Sequence, residues 1–212
     1  MGIQLITGTP PDLLVSRTDI EHRTPIWRYK PEDFTETCIQ SEVVYEGALL
    51  HVLSDEVRLP NGRTARREYI RHPGACAVVA LLDRETLLLE RQYRYPLRRH
   101  FIELPAGKID PGEDPLATAR RELAEECGYT ARQWRHLATV HPCIGYADER
   151  IELYLATGLE RVKAALDDGE FLEVMEVKIA DALAWIREGR ITEPKAIAGL
   201  LWADKLSRGE WD

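Results

Sequence analysis

The run ACAVVALL, Ala75–Leu82, is apolar at every position. A strand with no polar alternation has to be covered on both faces, so it belongs in the centre of a sheet and not at its edge. The rest of the chain must therefore supply layers above and below it. SEVVYEG and ALLHVLSDEVRL read as strands, and Pro60-Asn61-Gly62 marks a tight hairpin before TARREYIRH. Asp83-Arg84-Glu85 turns the chain after the apolar run, with TLLLERQYR expected as its partner strand. HLATV and ERIELYLA are further strands, and IADALAWIREG and PKAIAGLLWADKL, the latter started by Pro194, are helices. Strands interleaved with a few helices indicate a layered α/β domain. Pro10, Pro11, Pro25 and Pro31 interrupt any regular pattern in the first forty residues. The expected division is an N-terminal extension with a small β element (1–72), a main domain (73–206) and a short tail (207–212).

Charge narrows the partners. The chain carries net charge −8 and gains no sequence-independent attraction to nucleic acid or anionic lipid. A small-molecule ligand is expected, with no nucleic acid and no membrane. Cys38, Cys76, Cys127 and Cys143 form no Cys-x-x-Cys pair and no zinc spacing. The first residues lack a secretory pattern, and no apolar run approaches the ~20 residues that span a bilayer. A reduced, cytoplasmic, soluble protein is expected.

The chemistry is carried by a helix between Asp114 and Cys127. Asp114 is its N-cap, Pro115 its first position, and Gly128 its stop. Glu122, Glu125 and Glu126 fall on one face, where like charges repel. Taken alone, such a cluster is a solvated acidic face. Its setting is more specific: Gly107, five residues, Glu113, seven residues, Arg121-Glu122-Leu123, one residue, Glu125-Glu126, one residue, Gly128-Tyr129. This spacing resembles the Nudix box, with Tyr129 in place of the usual bulky aliphatic residue.

The resemblance implies a Nudix α/β/α sandwich with a mixed sheet, preceded by a small N-terminal β element. It also implies Mg²⁺, with Mn²⁺ as a substitute, held by hard oxygen ligands. On that match Glu122 and Glu126 are the principal metal ligands, joined by the backbone carbonyl of Ala106. Glu125 is a further ligand or a supporting group, counted with Arg121 in the catalytic set. Gly107 permits a tight turn at the metal site, and Glu113 pairs with Arg121 to hold the loop against the helix.

Other stretches resemble the ADP-ribose pyrophosphatase branch of that family: LPAG at Leu104–Gly107, HPCIGYADER at His141–Arg150, and DDGEFLEV at Asp167–Val174. In the second stretch Pro142 matches, whereas Cys143 and Ile144 depart from the branch. The third implies Glu170 as general base or additional metal ligand, with Asp168 or Glu173 next in line. Arg94 aligns with a phosphate-contacting arginine and Glu149 with an acid near the terminal ribose. Arg67 aligns with an arginine that packs on the adenine from the neighbouring subunit of a homodimer whose N-terminal β elements exchange. A tryptophan base clamp known in the branch has Leu49 and Arg67 at its positions here, and Trp27 is a candidate substitute or a packing residue. His72 and His141 read as structural or surface residues, and Trp185 and Trp202 as core or interface residues.

The reaction implied is hydrolysis of the diphosphate of a nucleotide sugar, ADP-ribose first. GDP-mannose, NADH or FAD as substrate, and a non-catalytic nucleotide sensor, are the alternatives. The retained box glutamates weigh against a sensor, and the lack of a basic stripe weighs against RNA decapping.

Overall fold

The computed structural model describes residues 33–166, 169 and 171–211. Trp27, Asp167, Asp168 and Glu170 lie outside the described residues. An N-terminal antiparallel sheet is formed by β1 (Thr37–Glu46), β2 (His51–Arg58) and β3 (Thr64–Arg71) in the order β1-β2-β3. The hairpin expected at Pro60-Asn61-Gly62 joins β2 to β3, closed by Leu59 N–H donating to Arg63 O.

The main body holds two sheets. In the first, β7 (Ala106–Lys108), β4 (Ala75–Ala80), β9 (Ile151–Arg161) and β8 (Tyr129–Val140) lie side by side in that order. Only the β4–β9 pair is parallel, so this sheet is mixed. In the second, β5 (Thr86–Arg94) lies between β10 (Leu172–Lys178) and β6 (Arg99–Glu103).

The apolar run is central, as its composition requires. Every residue of β4 is buried. Its alternate side chains feed two cores, because successive strand residues point to opposite faces. Cys76, Val78 and Ala80 pack with Ala119 and Leu123 of α1 (Pro115–Cys127). Ala75, Ala77 and Val79 pack with α2 (Ile179–Arg187) and α3 (Pro194–Ser207) through Ala182, Ala196 and Leu200. Trp185 and Trp202 pack against this second core while partly exposed. The result is an α/β/α sandwich. No helix among the described residues is long and apolar enough to cross a membrane.

One sequence expectation is corrected. TLLLERQYR does turn back after Asp83, whose carboxylate accepts from Glu85 and Thr86 N–H at 2.7 and 2.8 Å. It does not partner β4, however. Both edges of β4 are taken by β7 and β9, so β5 enters the other sheet and meets the end of the run through a Leu81–Leu87 bridge and the bond from Leu82 N–H to Thr86 O. A strand that the sequence did not mark is also present: DDGEFLEV is strand from Leu172 onward, paired with β5. That pairing was hidden from local reading because its partner lies about eighty residues earlier in the chain, and local pattern carries no register across such a gap.

Candidate active site

The helix α1 begins and ends where its residues dictate. Asp114 caps it by accepting from Leu116 N–H at 3.0 Å and Ala117 N–H at 3.3 Å. Gly128 stops it with φ +68, a left-handed conformation that suits glycine, and donates to Ala124 O. The helix is thereby fixed in register, and one edge is aimed at a cleft of about 740 Å³. Of the residues singled out from sequence, Ala106, Gly107, Glu122, Glu126, Arg94 and Glu149 line this cleft.

Glu126 is 5% exposed, and its carboxylate accepts from Ala106 N–H at 3.0 Å. Glu122 lies against Gly107 so closely that a Cβ there would sit 1.8 Å from its Oε1. Gly107 is therefore needed for close approach. It occupies the middle of strand β7 and does not make the tight turn that the sequence suggested.

Glu113 and Arg121 do pair, at 3.1 and 3.0 Å, with Thr118 Oγ1 donating to the same carboxylate at 2.7 Å. The Arg121 hydrogen bond, more than any other influence, brings the Glu113 pKa down to about 2. Arg121 also donates to Glu122 at 2.8 Å and to Glu125 at 3.0 Å, and its own pKa is raised chiefly by Glu113. Glu125 thus faces the arginine and is not part of the cleft wall. One cation thus bonds Glu113, just ahead of the helix, and Glu122 and Glu125 on it, which offsets the repulsion expected between the latter two.

The opposite wall holds Arg94 at the end of β5. Its guanidinium grips Glu103 of β6 with two parallel bonds of 2.7 and 3.0 Å. Glu103 also accepts from Lys195 Nζ of α3 at 2.5 Å. Burial alone would raise the Glu103 pKa, but the Arg94 bond and the Lys195 charge outweigh it and hold the carboxyl below its usual range. Burial would likewise lower the Arg94 pKa, and Glu103 reverses that. At the third side, Glu149 sits 3.9 Å from His72, whose Nδ1 accepts from Gly74 N–H at 3.1 Å. His72 is thus a cleft residue as well as a structural one.

Lys195, Glu193 and Tyr146 also line the cleft and were not picked from sequence. A signal existed for Lys195. A lysine in the first turn faces the positive end of the helix dipole, which calls for a compensating reason. For Glu103 the signal was a carboxylate within the apolar run Phe101–Leu104.

Arg67 lies outside the cleft of its own chain, on β3, where Glu36 accepts from its Nε at 2.8 Å. Glu173 is on β10 beside Arg91 at 3.3 Å, also away from the cleft lining.

The residues present fit a hard divalent cation. The Glu122 and Glu126 carboxylates and the Ala106 carbonyl are oxygen donors, and a side chain at position 107 would overlap the Glu122 carboxylate. Among the described residues no three His, Cys, Asp or Glu side chains stand together as a metal cluster. A complete ligand set thus needs the main-chain oxygen or a group beyond those residues. Lining charges reinforce the point: Arg94, Lys108 and Lys195 face Glu122, Glu126, Glu149 and Glu193. Carboxylates outnumber the cations by one, so added positive charge favours entry of a polyanionic ligand.

The NUDIX domain matches residues 71–198 of the chain. The chain belongs to the Nudix family. A nucleoside diphosphate sugar hydrolase N-terminal domain matches residues 36–70, the region of β1–β3. This Nudix pyrophosphatase is 42% identical over 166 residues to the methanol dehydrogenase activator of Bacillus methanolicus, covering 77% of this chain and 90% of that protein. It is 40% identical over 162 residues to the ADP-ribose pyrophosphatase of Bacillus subtilis (strain 168), covering 76% and 88%. A solved structure described as an ADP compounds hydrolase superposes with a TM-score of 0.76 at 23% identity, covering 85% of this chain and 98% of that one. That superposition establishes the fold, including the N-terminal β element.

Proposed function

We propose that this Nudix pyrophosphatase hydrolyses the diphosphate bridge of a nucleoside diphosphate sugar, with ADP-ribose giving AMP and ribose 5-phosphate. The observation that carries the reading is the convergence of Glu122 and Glu126 with Arg94 on one cleft. Hard anionic ligands on one wall and a fixed guanidinium on the other suit a metal-bound diphosphate and few other ligands. The ADP-ribose pyrophosphatase of Bacillus subtilis, at 40% identity, supports the choice of sugar nucleotide.

Glu122, Glu126 and the Ala106 carbonyl would hold Mg²⁺, or Mn²⁺ in its place. When bound, the ion neutralises diphosphate charge and acidifies water. The chain's own residues do the rest. Arg94 binds and orients the diphosphate, Glu149 receives the hydroxyls of the terminal ribose, and Arg121 with Glu125 keeps α1 in place behind the metal ligands. Glu170 takes the proton of the attacking water.

The chain acts as a homodimer in this reading. Every residue of β1 is exposed, among them Ile39, Val43, Val44 and Tyr45, an apolar edge of the sort a second subunit covers. Arg67, outside its own cleft, is placed to serve the neighbour's. The free cysteines suit a cytoplasmic setting.

The test is a panel of ADP-ribose, GDP-mannose, NADH and FAD with Mg²⁺, comparing kcat/KM and products. A preference for ADP-ribose with release of AMP supports the reading. A higher kcat/KM for another member moves the substrate assignment to that compound, and absence of turnover on the whole panel favours a nucleotide sensor. Product analysis in ¹⁸O-labelled water then identifies which phosphorus is attacked. Sedimentation of the intact chain tests the dimer.

A further inference from the structure

Lys195 is 7% exposed, yet it lines the cleft. An ammonium in that position is costly on two counts. It is largely withdrawn from water, and it occupies the first turn of α3, where the helix dipole opposes a cation. Two carboxylates offset the cost: Glu103 at 2.5 Å and Glu193 at 3.3 Å. They use two of the three donors that an ammonium carries. Packing alone does not require the charge, since an aliphatic side chain would fill the same space against the core without desolvating an ion.

The partner that organises this wall is Glu103. Its Oε1 accepts from Arg94, and its Oε2 accepts from both Arg94 at 3.0 Å and Lys195 at 2.5 Å. Two cations held on one oxygen, the exposed Arg94 and the buried Lys195, stand side by side although like charges repel. Remove the carboxylate and Glu193, 3.3 Å from Lys195, is left as the carboxylate holding the pair on this wall, with no bond to Arg94 like the bidentate grip of Glu103. Both cations face the same cleft as Glu122 and Glu126.

We propose that Lys195 is a second cation contacting the substrate's diphosphate, and that Glu103 is the positioning residue that sets Arg94 and Lys195 side by side to receive it. Glu103 itself touches no substrate. This deepens the diphosphate-hydrolase reading above and rests on it.

The test compares wild type with Lys195→Met, Lys195→Arg, Glu103→Gln, Glu103→Asp and the Lys195→Met/Glu103→Gln double variant. Each is assayed with ADP-ribose and Mg²⁺, and each is melted to verify folding. Lys195→Met is expected to raise KM roughly ten-fold, with the larger part of its loss in KM and not in kcat. Lys195→Arg recovers part of that. Glu103→Gln raises KM at least as much, Glu103→Asp recovers part, and the double variant is no worse than Glu103→Gln because the two act as one unit. A merely structural Glu103 would lower the melting temperature and leave KM in place, and that result overturns its positioning role. An unchanged KM in folded Lys195→Met overturns the second-cation assignment while leaving the diphosphate reading intact. If wild type turns over no sugar nucleotide, that reading fails. The inference is then decided by calorimetric titration with inorganic pyrophosphate, where roughly ten-fold weaker binding by Lys195→Met sustains it. Equal binding, or none by wild type, overturns it.

Discussion

On one side of the cleft the charged groups come from a single 13-residue helix, α1, with spacing set by the helical repeat. On the other side they come from β5, β6 and α3, and the Glu103–Lys195 contact spans 92 residues. The helix wall gathers like charges and holds them by an arginine outside the cleft lining, bonded to Glu122 and Glu125, and by the Ala106 N–H on Glu126. The far wall alternates cation and anion and is close to neutral. The difference teaches a division of labour: the acidic wall is built to take up positive charge, and the mixed wall to present fixed positive charge to an anion. Substitutions on the first should therefore damage turnover, and on the second binding.

The largest effect is expected at Glu126. Glu126→Gln keeps the shape and the acceptor for Ala106 N–H, so the protein should fold with an ordinary melt. Metal-dependent kcat should fall by ~10³-fold, in line with the several kcal/mol a bound ion supplies. Unchanged turnover would remove the helix wall from the mechanism. Glu170→Gln should cost kcat ~10²-fold or more if Glu170 is the general base. A negligible change would pass the role to Asp168, since Glu173 pairs with Arg91 away from the cleft lining.

Gly107→Ala probes the seam between β7 and α1. A Cβ at 107 overlaps the Glu122 carboxylate, so this one methyl displaces a proposed ligand without touching any charge. Metal affinity, measured by the Mg²⁺ dependence of the rate, should weaken by about 10- to 100-fold, comparable to loss of a supporting ligand contact. Wild-type metal dependence would mean that Glu122 is free to move aside and is no fixed ligand. Arg94→Ala tests the other wall: KM for ADP-ribose should rise by about ten-fold, with a smaller change in kcat. If kcat bears the loss instead, the contrast between the walls fails.

The same contrast explains what could be read from the sequence. The caps of α1, the β2–β3 hairpin and the buried run at β4 follow from residues a few positions apart, and local chemistry specifies them. The carboxylates of the helix wall were visible for that reason. Sheet partners were not: β5 pairs with β10, whose register depends on which edges other strands have already taken. The far wall was invisible on the same grounds. Arg94 was found through a resemblance, but Glu103 and Lys195 gain their meaning only when β6 and α3 meet, and each alone is one charged residue among many. Gly107 was found for the wrong reason, because a close approach and a turn leave the same mark in sequence.

The smallest effect tests how the helix wall is braced. Glu113 is half-buried at the surface, with its pKa brought from 4.5 to about 2, chiefly by its bond to Arg121. A carboxylate whose pKa falls on folding stabilises the native state above its unfolded value. That contribution is fully present above about pH 4.5 and is lost as the pH falls through about 2. Glu113→Gln should therefore melt slightly lower than wild type at neutral pH, by a few degrees at most because exposed ion pairs contribute little. The gap should close on acidification, since wild type alone loses the pair. Thermal melts of both proteins at about pH 7, about pH 4 and about pH 2.5 measure it. A gap that stays constant with pH would show that Thr118 and the loop backbone hold this corner, and that Arg121 serves only Glu122 and Glu125.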